Sequence, residues 1–394
     1  MLKKNSLSPE ETSRPLNFTQ PLRIAFLGGA KSGKSSLISK LSMGTFRDNY
    51  YPTHKINPVL LTYSPQDRLS RVIMDEGNGS NSLRELADHR ELSLSPVLTS
   101  AYTSTPAKPQ DLNALISLQW KNQYYQGFCY RGDAAQAGTY VLPHVSPLLV
   151  EMIDTPAFDP ARVVPFLEAS LYIKLGKDTL HNLADEPRRP VSTHPLLVAS
   201  GASELNGNID GYFFVYSAVP SYQPPSYDSH DNENSKVGDD ELPECDIKTF
   251  SLLGVMKAAL DEAWREYNTF RMRWNQGKEH DIFHFTSSLK HMWKDKSMVE
   301  MEQMRQELRR QITLMDNPVD PSDPNSPPPI WIVCTHSKSP LRSPLLIDRG
   351  EKLAKQWNCG FIAVDNTDDN VDAVLALMVK EIVERKRLQS KRKK

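Results

Sequence analysis

Residues 27 to 36 read LGGAKSGKSS and follow directly on the apolar run LRIAF. Gly28, Gly33, Lys34 and Ser35 fit the pattern G-x-x-x-x-G-K-[ST], set between an expected buried strand (22–27) and an expected helix (35–44). The pattern constrains the fold because it has a chemical use only in that setting. Glycines let successive backbone N–H groups curl around an anion, and the N-terminus of the following helix adds a favourable dipole. In such a loop Lys34 reaches the outer phosphates of a nucleotide, and the Ser35 hydroxyl ligates Mg²⁺. Ala30, Lys31, Ser32 and Ser36 complete the candidate phosphate-binding loop.

The rest of the chain reads as strands alternating with helices. Further strands are expected at 57–64, 146–154, 211–219, 330–334 and 361–364, and helices at 81–89, 248–272, 297–315, 349–357 and 371–386. Continuous apolar strands separated by helical periodicity predict an α/β domain with a mostly parallel, six-stranded sheet flanked by helices. Residues 1–20 are polar and expected to be disordered, the domain to span 21–388, and 389–394 to form a basic tail. Within the domain, 65–145, 159–207 and 221–329 read as insertions; the first is weakly patterned apart from the helix at 81–89 and a strand at 114–120. Twenty-nine prolines against 18 glycines suit long irregular connections.

From the phosphate loop onward the sequence resembles the Ras-like small GTPases. FRDNYYPTHKI is similar to the first switch, which implies that Thr53 closes over Mg²⁺ when the γ-phosphate is present. VEMIDTPA resembles the stretch in which the strand-end carboxylate, here Asp154, stands on the metal side. DGYFFVYS resembles the fourth strand, and IWIVCTHSKS through to VERK follows the order of the fifth strand, base-reading loop, sixth strand and final helix. The resemblance covers about 170 residues in five blocks. It implies GTP/GDP and Mg²⁺ as ligands: Ser35, Thr53 and Asp154 hold the metal, Thr335 and His336 stand in the base-reading loop, and Asp365 is a displaced candidate acid there. Protein effectors or regulators would then act through the switch regions and the insertions.

The departures from that pattern are chemical as well as spatial. Thr53 and Asp154 lie 101 positions apart, where two paired strands and a hairpin need only about 20. Ala30 replaces a frequent glycine, where a methyl group can crowd the γ-phosphate. Ala157 replaces the glycine of the second switch, and Phe158 stands where the family has the glutamine that orients the attacking water. Lys338 occupies the position of the carboxylate that accepts from guanine N1 and N2, and a donor cannot replace an acceptor. Three readings follow: a GTP-binding switch protein with slow or partner-dependent hydrolysis, a pseudo-GTPase scaffold, and, behind both, a P-loop ATPase or nucleotide kinase. No individual catalytic residue is assigned.

Charge and cysteine usage narrow the setting. A formal net charge of −1 argues against a general nucleic-acid binder, and the four scattered cysteines suit reduced thiols in the cytoplasm. No apolar run is long enough to span a membrane. Residues 385–394 carry seven basic side chains and no acid, a composition that suits electrostatic contact with anionic lipid or a nuclear localisation signal. The expected location is the cytoplasm, with the nucleus as a second compartment. RGD at 131–133, His280 with His284, and the acidic stretch 228–244 are read as chance, ordinary histidines and a solvated linker, respectively.

Overall fold

The computed structural model describes residues 21–46, 51–76, 79–89, 91–104, 122–128, 142–158, 209–220, 249–261, 264, 303, 306, 320–323, 326–365, 367 and 371–392. The expected tail at 1–20, the strand at 114–120, the acidic stretch 228–244, the histidines at 280 and 284, the insertion 159–207 and most of the helix at 297–315 lie outside them.

The chain is α/β, with a mostly parallel sheet flanked by helices. Nine strands are described: β1 (Leu22–Leu27), β2 (Asn57–Tyr63), β3 (Leu92–Ser93), β4 (Gly127–Phe128), β5 (His144–Val145), β6 (Leu148–Asp154), β7 (Gly211–Ser217), β8 (Ile330–Thr335) and β9 (Gly360–Ala363). Seven form one sheet in the order β2-β6-β1-β7-β8-β9-β3, and β4 pairs with β5 apart from it. The five central strands run parallel, while β2 and β3 close the two edges antiparallel. The sheet therefore has seven strands rather than the expected six. The extra one, β3, comes from inside the segment 65–145, and two residues carry no alternation that a sequence reading could detect.

The central strands are apolar on both faces because both are covered. All seven residues of β7 and all six of β8 are buried. Arg23 and Glu151 interrupt β1 and β6, and they stand opposite each other in register and pair at 2.7 Å. On one face Ile24, Phe26, Phe213 and Val333 pack against α1 (Lys34–Met43) and the long C-terminal helix (Asp372–Arg392), whose Val374, Leu375 and Met378 are fully buried. On the other face Leu27, Phe214 and Tyr216 meet a helix over 249–261, through Leu253, Met256 and Leu260, and a helix over Pro344–Gln356, through Leu346 and Ala354.

Three helices of the segment 65–145 belong to the first of these layers: α2 (Arg68–Ile73), α3 (Gly79–Ala87) and α4 (Pro96–Ser104). In chain order the helix over 249–261 is α5, Pro344–Gln356 is α6 and Asp372–Arg392 is α7. Val72, Ile73, Leu86, Leu98 and Tyr102 share one core cluster with Phe26 and Val374. Tyr102 donates to the Ile73 carbonyl at 2.8 Å, and Tyr63 donates to the Asp372 carbonyl at 3.1 Å. This part of the insertion thus completes the core of the sheet and does not stand off it.

The C-terminal helix is longer than its sequence reading, which ends it near 386; it continues to Arg392. Its basic residues are also less free than their number implies. Arg385 pairs with Glu381 at 3.0 Å, Lys386 with Asp210 at 2.8 Å and Arg387 with Glu384 at 3.1 Å. Three of the seven charges counted in the basic run 385–394 therefore have acidic partners within the fold.

Candidate functional site

The loop between β1 and α1 is shaped by what surrounds it. A Cβ on Gly28 would lie 2.1 Å from the Val215 carbonyl oxygen, so only glycine lets the loop leave β1 against β7. Gly33 caps α1 at φ 85°, and Lys31 takes φ 60°, a left-handed conformation uncommon for a residue with a side chain. Residues 29–36 line a hollow that is closed on the far side by Tyr51, Pro52, Thr53, Thr155 and Ala157. Ser32 is buried at the base of the hollow, and its hydroxyl has no hydrogen-bond partner among the described residues. A buried hydroxyl and a cradle of main chain at a helix N-terminus together fit an anion such as phosphate.

Lys34 is buried, and its ammonium donates to the carbonyls of Gly28 and Gly29 at 2.8 and 3.0 Å. Burial pulls this lysine down to about 8, and the nearby Asp154 carboxylate opposes the shift. The Ser35 hydroxyl donates to Asp154 Oδ2 at 2.7 Å and lies 3.0 Å from Thr53 Oγ1. Residues from α1, from the segment before β2 and from the end of β6 thus meet within hydrogen-bond distance, although two are 119 positions apart in the chain. Their three oxygens include a single carboxylate. A hard cation such as Mg²⁺ wants about six oxygen ligands, so these residues suit a metal that arrives with phosphate oxygens and water rather than one held by protein alone. Among the described residues no group of three or more His, Cys, Asp or Glu side chains is placed to hold a metal.

The stretch after β6 is laid against the phosphate loop. Thr155 Oγ1 donates to the Phe26 carbonyl at 2.6 Å, and the Phe158 N–H donates to the Gly28 carbonyl at 3.0 Å. The Phe158 ring is buried in the core layer with Leu27 and Leu253, so it offers the hollow no polar group. Ala157 does line the hollow. Sequence reasoning did not single out Thr155, Tyr51 or Pro52; the flanking YYPT and DTPA stretches were the available signal.

At the other candidate end, Thr335 and His336 close β8. Thr335 Oγ1 donates to the Ser32 carbonyl at 2.7 Å, which ties this strand end to the phosphate loop. His336 Nδ1 lies 2.9 Å from Ser217 Oγ, a neighbour 119 positions away that no motif points to. Burial lowers the imidazole below its ordinary value, while Asp365 pulls the other way. Lys338 is exposed. None of Thr335, His336 or Asp365 lines the phosphate hollow.

The sequence is 37% identical to a protein of Saccharomyces cerevisiae described as "Uncharacterized protein YPR084W". The alignment runs over 412 positions and takes in 94% of this chain and 89% of the yeast protein. The chain belongs to the family of that yeast protein. No profile of a known protein family matches the sequence.

Proposed function

We propose that this chain is a Ras-like switch protein that binds guanine nucleotide with Mg²⁺ and hydrolyses it slowly or only with a partner's help. The observation that carries the reading is that Lys34, Ser35 and Thr53 line the hollow formed by residues 29–36 and that Ser35 bonds to Asp154 beside it. Gly28, Gly33 and the main chain of 29–33 would cradle phosphates, Lys34 would pair with the outer ones, and Ser35, Thr53 and Asp154 would hold the metal. The bound cation would neutralise charge on the phosphate oxygens. Thr53 ends the segment 51–53, which borders the hollow, and Asp154 directly precedes Thr155, which borders it together with Ala157. Segments of this kind can change position with a ligand. Effectors or regulators in the cytoplasm would meet the protein at these segments and at the insertions.

Titrating the purified chain with GTP and ATP, with and without Mg²⁺, tests the reading. Mg²⁺-dependent binding of GTP is expected, with weaker discrimination against ATP than a guanine-reading carboxylate gives, because Lys338 stands in its place. A pseudo-GTPase scaffold is the second reading. Lys338, and the buried, non-polar Phe158 at the water-orienting position, favour it. Binding of neither nucleotide at millimolar concentration would decide for the scaffold.

Turnover follows from the same residues. With Phe158 in the core and its N–H held by Gly28, no side chain at this position can orient water. A single-turnover assay on the isolated chain is expected to give a rate far below the common enzymatic range of about 1–1000 per second. Placing glutamine at 158 does not restore it, since the position faces the core. Hydrolysis within the ordinary range would overturn this expectation.

A further inference from the structure

The loop after β8 is pinned at each of its residues. Thr335 is bonded to the phosphate loop through Ser32, and His336 is held beside Ser217 and Thr335 with φ 58°, a left-handed conformation. The Ser337 N–H donates to the Val364 carbonyl at 3.2 Å, and Arg342 donates to the Ser337 carbonyl. The Lys338 N–H donates to Asp365 Oδ2 at 3.2 Å. The other carboxylate oxygen, Oδ1, accepts from the Thr367 N–H at 3.1 Å and from the Thr367 hydroxyl at 2.6 Å. Asp365 is buried, at 8% exposure.

A carboxylate that reads a guanine edge must turn both oxygens to donors on the base. Here three of the roughly four acceptor sites are taken by protein donors from two different loops, two on Oδ1 and one on Oδ2, so the group cannot turn both oxygens to a base. We infer that Asp365 is a positioning residue that braces the loop 335–338 against 365–367, and through Thr335 sets it in register with the phosphate loop, rather than the carboxylate that reads the base. Burial works to raise this carboxyl, but the bonds from Thr367 and Lys338 outweigh it and hold the group below its ordinary value, as a charged brace requires. Among the described residues this end is then left without a free acid, and the ligand class is a purine nucleoside triphosphate selected mainly through its phosphates. The ligand half of the inference rests on the nucleotide reading above; the brace itself does not.

Amide hydrogen exchange and nucleotide titration on D365N and T367V separate the possibilities. In D365N an amide nitrogen or a single oxygen replaces one acceptor, so exchange at Lys338 or Thr367 should quicken about tenfold, the consequence of losing one hydrogen bond to a charged group. GTP and ATP affinities should fall together, leaving their ratio unchanged. T367V keeps the carboxylate and removes one donor, so a smaller acceleration with the same ratio is expected. Unchanged exchange in D365N would overturn the brace. A D365N loss of GTP affinity with ATP affinity intact, or a T367V gain in GTP preference, would make Asp365 the reader and overturn the inference as well. If the wild-type chain binds neither nucleotide, the nucleotide reading fails, and the exchange measurement still decides the brace.

Discussion

Lys34→Met should remove nucleotide-dependent stabilisation while leaving a folded protein. The side chain is buried and its ammonium sits between the Gly28 and Gly29 carbonyls at the rim of the hollow. Methionine keeps an unbranched apolar stem one atom shorter than lysine, so the loss to the fold is mainly the two hydrogen bonds at the loop. The loss to a phosphate ligand is larger. Hydrogen bonds to charged groups contribute about 1.5–3 kcal/mol each, and one such bond to each of two phosphates corresponds to a roughly hundredfold or greater fall in affinity. A ligand at 100 times its dissociation constant stabilises the protein it binds by about 2.7 kcal/mol. The wild type should therefore melt higher with Mg²⁺ and GTP than without, and Lys34→Met should melt at one temperature in both conditions. A Lys34→Met protein that keeps the full ligand-induced shift would place the nucleotide elsewhere than this loop.

Which features were legible in the sequence depended on whether their cause is local. The six longer sheet strands could be read because each holds a continuous or nearly continuous apolar run. The five central ones are covered on both faces, whereas the edge strand β2 is largely exposed and shows only Val59, Leu60 and Leu61 as its signal. The strand–loop–helix setting of Gly28, Gly33, Lys34 and Ser35 was legible because these residue types stand at short spacing between an apolar run and a helical one. By contrast, α2 and α4 have six and nine residues and follow no strong pattern, since they are held by tertiary contact with α7. The strand β3 exists only because β9 offers it an edge. At the base end the sequence could say that Lys338 is not an acid. It could not say that the Asp365 carboxylate is taken by Lys338 and Thr367 main-chain donors, one of them 27 positions away. The basic C-terminal run shows the same limit, because composition counts charges and cannot see that Arg385, Lys386 and Arg387 have acidic partners.

Arg387→Ala should destabilise the protein by about 3–5 kcal/mol, the usual cost of removing one partner from a buried ionic cluster. Arg387 bridges two acids, Glu384 at 3.1 Å and Glu76 at 3.6 Å, and its side chain is only 13% exposed. Glu76 lies just after α2 in the segment 65–145, is held by the Asn122 amide at 2.7 Å, and neighbours Lys380, which reaches Glu384 at 3.4 Å. Without the guanidinium, two buried carboxylates would share one lysine, Lys380, and the segment would lose one of its ionic ties to α7. Burial already raises Glu76 above its ordinary value, with Lys380, Asn122 and Arg387 pulling it down. A raised carboxyl takes up its proton in the folded state at a higher pH than in the unfolded chain, so its charge is a cost at neutral pH that acid relieves. Wild type should accordingly gain stability relative to Glu76→Gln as pH falls from 7 toward the ordinary glutamate range, and Arg387→Ala should gain more steeply than wild type over the same window. Denaturant unfolding of the three proteins at pH 7 and pH 5 measures both effects. Removing Glu76 and Arg387 together in favour of glutamine and methionine should recover most of the lost stability, because the uncompensated charge goes with them. Should Arg387→Ala unfold at the wild-type midpoint, the Arg387 pairs with Glu76 and Glu384 contribute nothing measurable to holding 65–145 on α7.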